Sequence, residues 1–245
     1  MRICQVEDYA AMSRAVADII AAQVLIKPDC VLGLATGSTP IGAYGHLVER
    51  CRKGELSFAE VRTVNLDEYY GLAPEHEQSY RRFMQEHLFS HVDIKPDNTH
   101  VPNGLAPDPA AECARYDELI AELGGPDLQL LGLGHNGHIG FNEPGEEFIP
   151  QTHIVDLTES TINANSRLFS SRDEVPRQAL TMGIRAIMHA QKVLVAVSGE
   201  SKAEAVAKAF AGPITPNVPA SILQLHPDVV LVADKAALSK LEVKA

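Results

Sequence analysis

Five short apolar runs recur along the chain, separated by longer stretches in which polar and apolar residues mix. The runs are rich in Val and Leu and are continuous rather than alternating, as in strands covered on both faces of a parallel sheet. They predict β-strands at Val31–Ala35, Val61–Asn65, Leu128–Leu133, Val193–Val197 and Val229–Ala233.

Helix boundary signals lie in the stretches between these runs. Thr39 followed by Pro40 predicts a helix N-cap with proline at the first helical position, and Asp108 followed by Pro109 predicts another. Ser201–Glu204 has the spacing of a capping box, so it predicts the start of a further helix.

Strands that alternate with helices predict an α/β fold with a mostly parallel sheet and helices on both faces. There is no linker, low-complexity segment or internal repeat, so we expect a single domain over residues 1–245. Ligands of such sheets bind beyond the carboxyl ends of the strands. We therefore expect four glycine-bearing polar loops to converge there: ATGSTP, LDEYYG, GHNGHIGFNEPG and SGESK.

The composition and net charge of the chain indicate which classes of binding partner to expect. The chain has 245 residues, of which 45% are hydrophobic, and a net charge of −11. Nucleic acids and anionic membranes bind basic surfaces, so we expect neither as a partner. The four cysteines lack C-x-x-C spacing, and the N-terminus lacks the apolar core of a signal peptide. We expect a cytoplasmic protein, and a homo-oligomer is left open.

Gly132, Gly134 and Gly137 follow a predicted strand at the G-x-G-x-x-G spacing of a dinucleotide-binding turn. That turn needs a helix directly after the glycines, whereas Pro144 and Pro150 interrupt the segment that follows here. We therefore expect no nucleotide cofactor, and a tight loop that presents its side chains to a ligand.

Thr36, Gly37, Ser38 and Thr39 directly precede a predicted helix. Backbone N–H groups and hydroxyls at a helix N-terminus form a cradle for an anion such as phosphate. The segment lacks the Lys-Ser/Thr ending of a P-loop, so a nucleoside triphosphate is not implied. An ordinary Ser/Thr cap is the alternative interpretation.

Two cations could contact the same anion. Lys202 lies in the first turn of a predicted helix, where a positive charge opposes the helix dipole unless an anion is bound. Arg167 follows a segment rich in Thr, Ser and Asn and could bind a phosphate through two nitrogens. A solvated lysine and a surface salt bridge are the respective alternatives.

Carboxylates and histidines in the remaining loops indicate proton transfer. Asp67, with Glu68 after it, leaves an apolar strand at its carboxyl end, where burial can tune a carboxylate pKa; a turn residue is the alternative. His138 with Glu143 could form an oriented proton shuttle. There are two other interpretations. His135 could join His138 and Glu143 in a metal site, or His138 could be an ordinary loop histidine.

Six segments together resemble the glucosamine-6-phosphate deaminase family: LGLATGSTP, NLDEYYGL, GLGHNGHIGFNEP, NSRLF, VPRQALTMGI and ILQLHP. They occur in the family's order, and the similarity spans essentially the whole chain. The resemblance implies a modified Rossmann-like α/β fold and conversion of glucosamine 6-phosphate and water to fructose 6-phosphate and ammonia. It implies no redox cofactor and no catalytic metal.

The same resemblance implies roles for individual residues. Asp67 is similar to the general base that moves a proton between C2 and C1 of the sugar. His138 is similar to the acid/base that opens the pyranose ring, with Glu143 orienting it. The residues that match the family's phosphate site are Thr36, Gly37, Ser38, Thr39, Arg167 and Lys202.

The sequence departs from the family's longer members at two places. Asn136 stands where they have an aspartate in the catalytic set, so the negative charge beside the histidine is reduced. In those members the segment that matches Gln151–Leu157 has basic residues for an allosteric activator, N-acetylglucosamine 6-phosphate. Here that segment has only His153, so the chain resembles a shorter, non-allosteric form.

Two other functions compete with deamination. A 6-phosphogluconolactonase-like hydrolase has a related glycine-histidine loop, but a Ser-Leu-Phe-Pro type sequence stands there in place of FNEP, which supplies Glu143. A non-catalytic sugar-phosphate-binding regulatory domain is the alternative from another class. The presence of Asp67, His138 and Glu143 favours an enzyme.

Overall fold

The computed structural model describes residues 1–166, 169 and 171–241. Within them, ten strands form two sheets. The strands are β1 Arg2–Val6, β2 Val31–Leu34, β3 Arg62–Asn65, β4 Asp67–Tyr69, β5 Thr99–His100, β6 Leu128–Leu131, β7 His153–Asp156, β8 Gln178–Thr181, β9 Val193–Val197 and β10 Val229–Asp234.

Seven α-helices connect or follow these strands in the described part of the chain. They are α1 Tyr9–Ile26, α2 Ile41–Arg52, α3 Tyr80–His87, α4 Pro109–Glu122, α5 Glu159–Asn165, α6 Ile184–Met188 and α7 Ala203–Ala211. The helix predicted at Pro109 is confirmed, since the side chain of Asp108 accepts the N–H groups of Ala110 and Ala111.

The larger sheet has seven strands in the order β1-β10-β9-β6-β2-β3-β5, and all neighbours are parallel. Every residue of β2, β6, β9 and β10 is buried, so both faces of the sheet centre are covered. The apolar runs are continuous because both faces of these strands are covered. The predicted α/β fold with a mostly parallel sheet is confirmed, and the five predicted strands are β2, β3, β6, β9 and β10.

Helix α1 is long and apolar enough to cross a membrane if only length and composition are considered, with a mean hydropathy of 1.4. Core helices pass the same test. Met12, Val16, Ile20 and Val24 form one buried face of α1 and belong to the main apolar core. This face therefore packs within the fold.

The smaller sheet is antiparallel, with the order β4-β8-β7. A second apolar cluster around Tyr69, Phe141 and Ala179 packs against it. Because β4 begins two residues after β3 ends, the chain passes from the large sheet to the small one at Leu66. This crossing places Asp67 between the two sheets.

Candidate active site

Four loops meet around a cavity of about 970 Å³ at the carboxyl edge of the large sheet. They follow β9, β6, β2 and β3, which are neighbours in the sheet. This is the convergence that the sequence predicts. The lining residues from these loops include Thr36, Gly37, Ser38, Thr39, Asp67, Gly134, His135, Asn136, His138, Ser198, Ser201 and Lys202.

The loop between β2 and α2 contributes Thr36–Thr39 to the cavity wall. Gly37 has a φ of +88°, a left-handed conformation that favours glycine. The predicted N-cap at Thr39 is wrong. Pro40 is the N-cap because its carbonyl accepts the first helical hydrogen bond, from the N–H of Tyr44, and the side chain of Pro40 makes no capping hydrogen bond.

Lys202 extends into the cavity from the N-terminus of α7. Its Nζ donates to the carbonyl of Leu133 at 2.7 Å and lies 3.4 Å from Nδ1 of His135. Burial lowers the pKa of Lys202 to about 8. Its ammonium group is therefore partly desolvated, and an anion in the cavity would stabilise its charge.

The capping box predicted at Ser201–Glu204 is wrong. Residues Glu200–Lys202 form a turn of 3-10 helix, and the N–H of Ala203 bonds to the carbonyl of Glu200. Lys202 is consequently the N-cap of α7, without a side-chain cap. Arg167, the other predicted phosphate cation, lies outside the described residues.

Asp67 is the first residue of β4 and its side chain faces the cavity edge, with the residue only 6% exposed. Burial and, to a smaller extent, the charge of Glu68 together raise the pKa of its carboxyl group to about 8. A loop was expected after Asp67, but the structure has a strand there because Asp67 pairs with Thr181 of β8. Long-range pairing overrides the local polar sequence.

Glu68 is buried and accepts four hydrogen bonds. They come from the N–H groups of Tyr69, Tyr80 and Arg81 and from the hydroxyl of Ser79, at 2.9–3.0 Å. Burial raises the pKa of Glu68, and these hydrogen bonds only partly offset that effect. The carboxylate joins β4 to the N-terminus of α3, a helix whose residues line another wall of the cavity.

His138, Glu143 and Asn136 form a connected set beside Asp67. Nδ1 of His138 lies 3.4 Å from Oε2 of Glu143, longer than the usual upper limit of about 3.2 Å for a hydrogen bond. Asn136 donates to the same Oε2 at 2.6 Å and accepts the N–H of His138 at 3.2 Å. Glu143 therefore lies behind the imidazole, while His138 and Asn136 line the cavity.

Thr161 donates a further hydrogen bond to Glu143, at 2.5 Å to Oε1. Burial raises the pKa of Glu143, but the contacts with His138, Thr161 and Asn136 outweigh burial and bring the pKa below its usual value. Glu143 is therefore an ionised acceptor that can hold the imidazole in one orientation.

The glycines of this loop have packing roles. A Cβ at Gly134 would lie 2.4 Å from the ring of His138, and one at Gly140, where φ is +58°, would lie 3.0 Å from Oγ1 of Thr181. The helix that follows β6 begins only at Glu159, so the loop lacks the architecture of a dinucleotide-binding turn. The glycines allow the loop to pack tightly around His138.

The part of the chain that the structure describes contains no group of three His, Cys, Asp or Glu side chains placed to hold a metal ion. Nδ1 of His135 lies 3.4 Å from Nζ of Lys202.

Sequence patterns missed several residues of the cavity wall. Tyr9 comes from α1, and Tyr80 and Phe83 come from α3. Tyr69, Tyr80 and Phe141 form an aromatic group with ring centroids 4.8–6.0 Å apart. The adjacent tyrosines of LDEYYG were the available signal for this group, whereas nothing local marks Tyr9.

One protein family matches most of the chain. The model for glucosamine-6-phosphate isomerases/6-phosphogluconolactonase matches residues 6–231. A glucosamine-6-phosphate deaminase of Lachnoclostridium phytofermentans is 58% identical over 232 residues, which are 95% of this chain and 98% of that protein. One of Clostridioides difficile is 52% identical over 244 residues, which are 100% of this chain and 98% of that protein.

Solved structures show the same relationship. A structure described as a monomeric glucosamine-6-phosphate deaminase has a TM-score of 0.96 and 48% identity, over 98% of this chain and 100% of its own. The 6-phosphogluconolactonase of Thermotoga maritima has a TM-score of 0.74 and 21% identity, over 96% of this chain and 99% of its own. The second likeness shows a shared fold.

Proposed function

The chain belongs to the glucosamine-6-phosphate isomerase/6-phosphogluconolactonase family, and we propose that it is a glucosamine-6-phosphate deaminase. It would convert D-glucosamine 6-phosphate and water to D-fructose 6-phosphate and ammonia. Relatives with this name at 52–58% identity over nearly the full chain support the proposal. The observation that carries it is one cavity that holds a desolvated carboxylate, Asp67, and a separate imidazole–carboxylate pair, His138 with Glu143.

Two separate proton carriers suit this reaction because it has two separate proton transfers. In the first, His138 opens the pyranose ring by moving a proton from the C1 hydroxyl to the ring oxygen. The resulting aldehyde acidifies the C2 proton, which Asp67 removes and returns to C1. In the same isomerisation the aldehyde oxygen gains a proton and the amino nitrogen loses one, which leaves a hydroxyl at C1 and an imine at C2. Water then adds to the C2 imine, and ammonia leaves.

Glu143 and Asn136 support the imidazole in this proposal. Glu143 faces Nδ1 of His138 and stabilises the charged imidazole during ring opening. Asn136 donates to Glu143 at 2.6 Å, so it holds the carboxylate without adding a second negative charge.

The phosphate of the substrate would bind at the other end of the cavity. The loop of Thr36, Gly37, Ser38 and Thr39 offers hydroxyls and N–H groups, and Lys202 offers a desolvated ammonium group. We assign Arg167 to the same phosphate on its resemblance to the family motif alone.

We further propose that residues 1–245 act as one domain in the cytoplasm. One apolar core runs from Met12 to Ala237, which supports a single folded unit. The four cysteines are free, as is usual in a reducing compartment.

An ammonia-release assay on the purified protein tests the function. Glucosamine 6-phosphate should release ammonia and fructose 6-phosphate in equal amounts, while glucosamine should be a very poor substrate. Hydrolysis of 6-phosphogluconolactone without ammonia release would favour the lactonase alternative. Binding of the sugar phosphate without turnover would favour the regulatory domain.

A further inference from the structure

Tyr9, the first residue of α1, contacts the loop that precedes α2. Its hydroxyl donates to the carbonyl of Ser38 at 3.0 Å and accepts the N–H of Gly42 at 3.0 Å. The ring lines the cavity and is 40% exposed. The hydroxyl thus joins α1, the Thr36–Thr39 loop and α2.

The contact with Gly42 replaces a cap that α2 lacks. The first N–H groups of a helix have no partner within the helix, and a side chain at the N-cap usually accepts one of them. The N-cap here is Pro40, which has no side-chain acceptor. Tyr9 supplies the acceptor from a different helix.

The contact with Ser38 fixes a peptide group in the same loop. A trans peptide points its C=O and its N–H in opposite directions, so holding the carbonyl of Ser38 also sets the direction of the N–H of Thr39. Gly37, directly before, has a left-handed φ that gives the loop conformational freedom. The Tyr9 hydroxyl also donates a hydrogen bond to the carbonyl oxygen of Ser38, whose partial negative charge would otherwise repel an anion.

Gly42 gives Tyr9 the space to make both contacts. A Cβ at position 42 would lie 2.4 Å from Oγ of Ser13 and 3.2 Å from the hydroxyl of Tyr9. Helices α1 and α2 therefore pack closely at Gly42, and the Tyr9 hydroxyl lies beside this contact.

We propose that Tyr9 is a positioning residue for the phosphate group of the substrate, acting through the Ser38 peptide and the first turn of α2. The proposal rests on the proposed function only for the identity of the ligand. The chemistry it requires is a phosphate group in the Thr36–Thr39 loop.

Tyr9→Phe is the direct test because it removes the hydroxyl and keeps the ring. Titration calorimetry with fructose 6-phosphate and with inorganic phosphate should show affinity roughly 3- to 10-fold weaker, as expected from the loss of a neutral hydrogen bond. In the ammonia assay, KM should rise by a similar factor while kcat stays within about twofold, since the chemical groups are unchanged.

Tyr70→Phe is the matched control. Its hydroxyl also donates to a backbone carbonyl, that of Ala106 at 3.2 Å, and it does not line the cavity. Phosphate affinity should be unchanged in this variant. Thermal unfolding of both variants should stay close to that of the wild type.

Three results would overturn the proposal: unchanged affinity in Tyr9→Phe, a fall in kcat with KM unchanged, or an equal loss of affinity in Tyr70→Phe. Loss of the folded structure in Tyr9→Phe would overturn it too, because Tyr9 would then support the fold rather than the loop. A wild type that releases no ammonia would contradict the proposed function, whereas the calorimetric comparison would still test Tyr9.

Discussion

At the scale of single residues, Asp67 shows a conflict between stability and reactivity. Its carboxyl group is buried, and no side chain in the described ranges donates a hydrogen bond to it. Burial without a donor disfavours the charged form, which is why its pKa rises to about 8. A carboxylate of that basicity can remove a carbon-bound proton more readily than an exposed one.

Asp67→Asn should nearly abolish ammonia release, by about 10²–10⁴-fold or more, because general base catalysis contributes on that scale. Asp156→Asn, an exposed change on β7, is the control and should keep the wild-type rate. If Asp67→Asn kept more than about a tenth of the activity, another group would be the base.

The same variant should change the pH dependence of stability. The folded-state pKa of Asp67 lies above its unfolded value, so its contribution is full below pH 4 and is lost as pH rises toward 8. Asparagine does not titrate. The melting temperature of Asp67→Asn, relative to that of the wild type at the same pH, should therefore be higher at pH 9 than at pH 5. Thermal unfolding at both values measures this.

Asp67 and Lys202 together predict the pH profile of kcat/KM. Asp67 must lose its proton to act as a base, and Lys202 must keep its proton to bind phosphate; both have a pKa of about 8 in the free protein. Because kcat/KM reports the free enzyme, its profile should have a narrow maximum near pH 8. Lys202→Arg should extend the alkaline side, since arginine stays charged. A flat profile from pH 6 to 10 would contradict both assignments.

At the scale of elements, the sequence predicts the centre of the molecule better than the site. The buried strands β2, β6, β9 and β10 can be recognised in the sequence because strands covered on both faces need continuous apolar runs. β4 has the sequence DEY, and its pairing with β8 is visible only in three dimensions. The positions of the four loops can be predicted from the strand ends. The places of Tyr9 and of the α3 residues in the cavity wall cannot, because they depend on packing between distant segments.

Glu68 controls one junction between elements, that of β4 with α3. Glu68→Gln would leave at least one buried N–H facing an amide nitrogen or unpaired, which costs about 1–3 kcal/mol. It would also remove the negative charge next to Asp67, so the acid side of the kcat/KM profile should move to lower pH.

Glu112→Gln separates these two effects. Glu112 is another buried carboxylate, which accepts from Arg115 and from the N–H of Asn103 and does not line the cavity. This variant should lose stability without moving the acid side of the profile. A profile that is unchanged in Glu68→Gln would mean that Glu68 acts on the fold alone.

At the scale of the whole molecule, the fold is shared more widely than the chemistry. Solved 6-phosphogluconolactonases at 16–21% identity have the same architecture. A fold by itself does not define a reaction, so we expect loop residues such as Glu143 to distinguish the activities.

The small sheet connects the site to the segment that binds an activator in the family's longer members. Asp67 pairs with Thr181, and Thr181 pairs with His153 of β7, so the base and the matching segment share one row of the sheet. A ligand on β7 could affect Asp67 through this row. However, His153 is the sole basic residue of Gln151–Leu157, so this segment lacks the basic residues that the longer members have for their activator.

N-acetylglucosamine 6-phosphate should therefore not activate this protein, and rate against glucosamine 6-phosphate should be hyperbolic. Cooperative curves need several coupled sites, and a solved relative at 48% identity is described as monomeric. Initial rates with and without the N-acetyl compound, over a range that spans KM, give the measurement. Simple competition would agree with binding at the active site alone. A sigmoidal curve that the compound makes hyperbolic would show that an effector site exists despite the missing basic residues.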